Sequence, residues 1–303
     1  MKNLLKNNIV IGTWPLSGDY GPVSIKQAIE TLEYSYKEGF KTYDTAPNYG
    51  NGFAEFLIGK IFPNERDLKI YTKVGNRPFN SKSFNIFDVE KSISESLTRL
   101  NRDHLTGLLL HNPRNIDAEL QKMLDYIIRI RNEGTIKYIG LSAAKGFKYE
   151  SEFLENFDFI QCDVNLLYID DYNYFQNKNK NIFARSPLGH GLLARHITSK
   201  TKFPSSDHRS EWLVGDRLSS ITEIIEKLSV LFGEQDLKEY AIHSLARQQN
   251  IKKIVCGVKS PRHITFLSEL LEKNLTINKK KITAWQKLAT SNFGIEAEKY
   301  NGF

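Results

Sequence analysis

Eight short apolar runs, several rich in β-branched residues, recur along this 303-residue chain, and longer stretches of helical period separate them. Strands that alternate with helices line up parallel, because each crossover must carry the chain back to the same end of the sheet. The runs are Val10 to Gly12, Lys41 to Asp44, Ile70 to Lys73, Leu105 to His111, Tyr138 to Ser142, Phe159 to Val164, Ile182 to Arg185 and Ile254 to Val258. Helical patterns cover Ile25 to Glu38, Glu55 to Ile61, Val89 to Leu100, Asp117 to Glu133, Ser151 to Phe157, Tyr172 to Asn177, Leu237 to Gln249 and Arg262 to Leu271. Eight units predict a closed (β/α)8 TIM barrel of the α/β class, since a doubly wound sheet usually has fewer strands. No low-complexity linker interrupts the alternation, so residues 1–303 read as one domain, a length barrels routinely reach.

Punctuation residues support the register. Ser24 stands before the first helical pattern with Gln27 three positions on, a capping-box arrangement, and Gly39 follows where a left-handed C-terminal residue is wanted. The polar interval Ala194 to Ser219, with Pro204, lacks a period and reads as a long loop after the seventh strand. Beyond the eighth unit, a C-terminal extension from Lys280 to Phe303 carries Trp285, Phe293 and Phe303, enough apolar surface to dock on the barrel.

Composition narrows the function. The net charge of +7, from 42 Lys and Arg against 35 Asp and Glu, suits an anionic cofactor, but the basic residues are dispersed. A nucleic-acid binder would gather them on one element, so no nucleic-acid role is expected. Cys162 and Cys256 each lie inside an apolar run and read as buried small hydrophobes in a reducing, cytoplasmic compartment. The N-terminus has no long apolar segment of the signal-peptide kind, and no run approaches the ~18 apolar residues of a membrane span. Nothing in the sequence specifies an oligomeric state.

In a (β/α)8 barrel, catalytic groups come from the C-terminal ends of several strands, which share one mouth. Strand two ends in Asp44, with Tyr49 five residues later in the loop TAPNYG; strand three ends in Lys73; strand four ends in His111. A phenol of pKa ~10 is a poor acid at neutral pH, and a neighbouring ammonium is expected to lower that value. Asp44 would hold the charge on Lys73, and His111 would share with Tyr49 the polarisation of a carbonyl. The set contains no nucleophile, metal cluster or phosphate loop, which suits hydride delivery from a bound nicotinamide. One competing motif, Gly189-His190-Gly191 followed by Leu192 to Ala194, fits the Rossmann phosphate loop, but no helix pattern follows it.

These segments resemble those of the aldo-keto reductases: GFKTYDTAPNYG, YTKVG, LLLHNP, GLS with Ser142, FIQCDVNLLY with Gln161 and Asn165, ARSPLGHGLL from Arg185 to Leu193, and CGVKSPRHI from 256 to 264, in family order. The resemblance implies a catalytic Asp44, Tyr49, Lys73 and His111, NADPH or NADH as cofactor, and no metal. It places Ser142 and Gln161 at the nicotinamide carboxamide, Arg185, Ser186 and Leu188 along the cofactor, and Lys259, Ser260 and Arg262 at the 2′-phosphate. It also implies that FPSSDHRS, around His208, folds over the cofactor. The chain departs from the pattern in three places: Ala143 replaces the usual Asn, Arg185 a stacking Tyr, and Phe266 and Leu267 the residues that grip adenine. The expectation is an NADP(H)-dependent oxidoreductase interconverting a small aldehyde or ketone with its alcohol. Two alternatives are a nucleotide-sensing regulatory subunit with little turnover and a Schiff-base lyase using Lys73. Trp14, Phe79, Trp212 and Phe293 are the aromatic candidates for the substrate pocket.

Overall fold

The computed structural model describes residues 6–79, 81–194, 196–232, 236–273, 280–281 and 283–284. Eight parallel strands close into a barrel: β1 (Ile9–Gly12), β2 (Thr42–Asp44), β3 (Lys69–Val74), β4 (Leu105–His111), β5 (Ile136–Ser142), β6 (Phe159–Asp163), β7 (Ile182–Arg185) and β8 (Ile251–Gly257). Each pairs with its neighbours in sequence, and β8 pairs back on β1 through Ile9 to Ile254 and Gly12 to Gly257. All eight predicted runs fall on these strands. A two-stranded ribbon, Asn76–Arg77 with Ser81–Lys82, rises from the loop after β3.

The helices are α1 (Ile25–Lys37), α2 (Phe53–Ile61), α3 (Ile86–Leu100), α4 (Ala118–Asn132), α5 (Ser151–Leu154), α6 (Asp170–Asn177), α7 (Gly215–Phe232), α8 (Leu237–Ala246) and α9 (Pro261–Glu272). Ser24 caps α1 by accepting from the Gln27 amide at 3.1 Å, and Gly39 adopts φ +83°, as the sequence predicts. Helix α7 corrects the reading of a loop to Ser219. It begins at Gly215 and buries Leu218, Ile221, Ile225, Leu228 and Phe232, one face of a helix, against Leu192, Leu193 and Tyr240. Trp285, Phe293 and Phe303 of the C-terminal extension lie outside the described residues. Cys162 and Cys256 are buried free thiols, and among the described residues no helix is long and apolar enough to cross a membrane.

An aromatic plug of Tyr71, Phe159 and Phe183, with Leu109, forms a buried cluster of strand residues. Phe159 stacks on Phe183 with centroids 3.9 Å apart, and Tyr71 meets both edge-on. Glycine makes room for it: a Cβ on Gly107 would stand 2.4 Å from the Tyr71 ring, and one on Gly140 2.5 Å from Phe159. The strand interiors are therefore packed, which confines the functional side chains to the C-terminal mouth.

Outside the barrel, α2 crosses α3 at Gly59, where an added Cβ would stand 2.2 Å from the Arg99 carbonyl oxygen. On helix propensity alone Gly59→Ala gains ~1 kcal/mol. The close approach reverses that sign, and overpacking of backbone against backbone is expected to cost about 1–3 kcal/mol. Thermal unfolding of Gly59→Ala should show a lowered Tm; an unchanged or raised Tm would mean the helices slide apart freely.

Candidate active site

The strand ends bring the predicted tetrad together. Asp44, the last residue of β2, and Lys73 near the end of β3 meet across one strand pair, with Lys73 Nζ donating to Asp44 Oδ1 at 2.6 Å. The same ammonium donates to the Thr45 carbonyl at 2.8 Å and to the Tyr49 hydroxyl at 3.0 Å, so its three donors have three acceptors. Lys73 is 1% exposed. Tyr49 stands in the turn from Ala46 to Gly50, held by its backbone N–H donating to the Ala46 carbonyl. Its ring meets His111, the end of β4, edge-on at 6.2 Å.

The electrostatics amend one expectation. Burial pushes the Tyr49 phenol above its ordinary value; Lys73 pulls it back, but burial prevails. The phenol is thus a neutral hydrogen-bond donor at neutral pH, and the net lowering expected from sequence does not occur. Burial works against the Lys73 ammonium too, yet Asp44 and then Tyr49 outweigh it and raise its pKa. A Schiff-base lyase needs an unprotonated amine as nucleophile. The permanent, fully bonded charge on Lys73 counts against that alternative. Burial, then Lys73 and Arg185, drive His111 well below its ordinary pKa, so the imidazole is neutral, and its Nδ1 has no hydrogen-bond partner among the described residues.

The residues expected at the nucleotide form two groups. Ser142 and Gln161 are register partners at the ends of β5 and β6. Gln161 Nε2 donates to Asp44 Oδ2 at 2.7 Å, which ties it to the tetrad, and its amide oxygen remains as an acceptor. Arg185 ends β7 and lies across the mouth: Nη1 donates to Ser142 Oγ at 2.7 Å and Nη2 to the Ala143 carbonyl at 2.8 Å. Ser186 and Leu188 shape the turn that follows. The Ser186 carbonyl accepts from Asn165 Nδ2, and the half-buried Leu188 packs between the two hydrophobic clusters. Gly189, His190 and Gly191 all have positive φ and lead into a three-residue 3-10 turn, Leu192–Ala194. The Rossmann-like motif is therefore a tight turn with no helix behind it.

The second group lies after β8. Lys259 Nζ donates to the Tyr20 carbonyl at 2.6 Å, and the exposed Arg262 stands in the first turn of α9. Ser260 is the N-cap of α9 and makes no side-chain capping bond. Beside them an open groove of about 600 Å³ runs between α1 and α9, lined by Ser24, Lys26, Gln27, Glu30, Ser260 and Arg262. Leu267 is buried in the core and Phe266 packs against it, so neither offers a polar atom to an adenine.

Two features of the mouth escaped the sequence, the partner of Arg185 and the bonds that clasp two loops together. Asp163, last in β6, is the register partner of Arg185 and accepts from its Nη2 at 3.1 Å. Asp207 bridges to Tyr20, and the His208 amide donates to the Asp19 carbonyl at 2.9 Å, which clasps the FPSSDHRS segment onto the loop after β1. Arg209 braces the clasp through Asp207 and the His190 carbonyl. Trp14 stacks on Tyr49 at 6.0 Å and on His208 at 4.8 Å, while Trp212 stacks on His208 at 6.1 Å. Of the aromatic candidates, Trp14 and Trp212 thus line the mouth. Phe79 is 84% exposed at the ribbon tip, and Phe293 lies outside the described residues.

A closed parallel barrel whose mouth holds a neutral phenol beside a buried ammonium has the groups that proton transfer to a bound carbonyl oxygen requires, as suits an oxidoreductase barrel. The chain belongs to the aldo/keto reductase family, whose profile it matches over residues 8–290. It is 36% identical to pyridoxal 4-dehydrogenase of Microbacterium luteolum over 303 residues, covering 84% of this chain and 86% of that protein. It is 27% identical to L-galactose dehydrogenase of Arabidopsis thaliana over 205 residues, 60% of this chain but only 61% of that enzyme's length. Its fold matches the glycerol dehydrogenase AKR11B4 of Gluconobacter oxydans with a TM-score of 0.75 at 20% identity, covering 94% and 92% of the two chains.

The directions of the shifts set a pH test. Between about pH 7 and 9 the His111 pKa lies below the window and that of Tyr49 above it, so neither group titrates. The reductive rate should be flat there and fall only at higher pH, as the phenol ionises. Lys73→Met removes the larger of the two charges holding the phenol down, so the alkaline limb should move up in pH while the rate drops by about 10². A limb that stays in place in kcat/KM profiles would show that Tyr49 and Lys73 are not coupled.

Proposed function

We propose that this protein reduces an aldehyde or ketone to its alcohol with NADPH, Tyr49 delivering the proton to the carbonyl oxygen. The observation that carries this reading is the 3.0 Å contact between Lys73 Nζ and the Tyr49 hydroxyl, deep in the mouth and backed by Asp44. The nucleotide, when bound, supplies the hydrogen and electron pair that the carbonyl carbon receives. As Tyr49 gives up its proton, the phenolate left behind faces the Lys73 ammonium, whose charge Asp44 maintains. Neutral His111 donates a second hydrogen bond to the same carbonyl oxygen and so polarises it.

The residues present fit such a nucleotide. Ser142 has a hydroxyl proton to donate and Gln161 an oxygen to accept, as a carboxamide requires. Lys259, Arg262 and the uncapped N-terminus of α9 supply the positive field that a phosphate dianion needs. The ring-lined rim of Trp14, Tyr20, His190, His208 and Trp212 favours a cyclic substrate, and the names of two relatives, which point to pyridoxal and L-galactose, are in keeping with it. The buried free thiols support a reducing, cytoplasmic location.

Two measurements test the assignment. Tyr49→Phe keeps the ring under Trp14 but deletes the acid, so turnover should fall at least ~10² while the NADPH dissociation constant stays within about twofold. Near-parental turnover over a panel of cyclic and open-chain carbonyls would remove Tyr49 from the mechanism. Nucleotide binding with no turnover on any of them would favour the sensing role. Lys259→Met with Arg262→Ala should cost NADPH affinity about tenfold or more and leave NADH nearly unaffected, since a charge-assisted hydrogen bond contributes ~1.5 kcal/mol. Equal parental affinities for the two nucleotides would overturn the preference for NADPH.

A further inference from the structure

Two ion pairs join strand ends at the mouth among the described residues, and only the one between Lys73 and Asp44 has a place in the proton chemistry. The second joins Arg185 to Asp163, whose side chains are 20% and 11% exposed. Both Nε and Nη2 of Arg185 point at Asp163 Oδ2, at 3.3 and 3.1 Å, while Nη1 and Nη2 also reach Ser142 Oγ and the Ala143 carbonyl. The guanidinium therefore lies over the strand end where the family's Asn is replaced by Ala143, against the hydroxyl assigned above to the nicotinamide. Its charge is felt throughout the mouth, pulling down the pKa of both Tyr49 and His111.

An arginine cannot shed its proton, so a guanidinium in this place is a permanent positive charge. A nicotinamide ring is positive when oxidised and neutral when reduced. An uncompensated cation beside it would repel the oxidised form alone, and in a water-poor mouth that repulsion is little screened. We propose that Asp163 sets the balance between oxidised and reduced nucleotide by neutralising Arg185 at the nicotinamide seat. Asp163 touches neither substrate nor nucleotide in this role; it is a positioning residue acting through Arg185. Burial opposes its ionisation, but Arg185, Lys145 and His190 hold the carboxyl well below the usual range, so it is a full counter-charge at every working pH.

The inference rests on the nucleotide-binding reading above and is tested without turnover. Dissociation constants for NADP+ and NADPH, from NADPH fluorescence and its displacement, are compared in the parent, Asp163→Asn, Arg185→Met and the double variant. Asp163→Asn leaves the cation bare, and NADP+ should weaken relative to NADPH by about tenfold, equivalent to ~1.4 kcal/mol. Arg185→Met leaves the carboxylate bare, and the ratio should move the opposite way. The double variant should return to within about threefold of the parental ratio. A purely structural pair would weaken both nucleotides equally in each variant, and an unchanged ratio in the single variants overturns the proposal. Should Asp163→Asn fail to fold, Arg185→Met decides alone, because its ratio must shift toward NADP+. If the parent binds neither nucleotide, the nucleotide reading itself fails and takes the role of Asp163 with it.

Discussion

A lysine ammonium that is 1% exposed at a strand end makes a heavy demand, and much of the mouth is arranged to meet it. Removing such a charge from water costs several kcal/mol even after relaxation, and only close, complete pairing recovers that cost. Lys73 obtains it from two directions at once: the carboxylate of Asp44 from β2, and the Thr45 carbonyl and Tyr49 hydroxyl from the loop beyond. Asp44 in turn needs its second oxygen satisfied, and Gln161 reaches it from β6, across the barrel. The line from Gln161 through Asp44 and Lys73 to Tyr49 draws on β6, β2, β3 and a loop. Closure of the barrel is what places their ends around one point.

Balanced charge is the second property of the mouth. Lys73 with Asp44 and Arg185 with Asp163 bury two cations and two anions, a formal sum of zero. Between these pairs stand a phenol and an imidazole, both kept neutral, chiefly by burial. These two pairs give the local field direction without adding net charge. That combination favours proton donation from a neutral acid, whose conjugate base is then caught by a charge already in position. Trp14 stacks between Tyr49 and His208 and so covers one face of the acid.

Most of the architecture was legible in the sequence because strand period and strand-end residues are local signals. All eight strands and the tetrad could be read that way, as could the cap at Ser24. Helix α7 was lost because its first turn, Gly215 to Arg217, is polar and follows a stretch without period; its buried face becomes regular only from Leu218. Asp163 sat unnoticed in the apolar run FIQCDV, since a lone carboxylate there has no meaning until the register of β6 against β7 sets it opposite Arg185. The net direction of the Tyr49 shift was also out of reach. Sequence shows that an ammonium can stand near the phenol, but depth of burial is a property of the closed barrel and its clasped loops.

The clasp shows how the binding loops can be both ordered and releasable. Within the loop after β7, Arg209 bonds Asp207 and the His190 carbonyl, and Tyr20 and Asp19 join this segment to the loop after β1. Lys259 donates to the same Tyr20, so the ammonium assigned to the phosphate is held by the closed loop. No strand of the barrel takes part in these bonds. Opening the clasp breaks the backbone bridge between Tyr20 and Asp207 and the bond from the His208 amide to the Asp19 carbonyl, and leaves the Arg209–Asp207 pair intact within its loop, whereas removing one partner of Lys73–Asp44 would strand a buried charge, at ~3–5 kcal/mol. The spacing of the strand-end groups is set by the barrel's register, whereas the position of the covering segment depends on loop bonds alone.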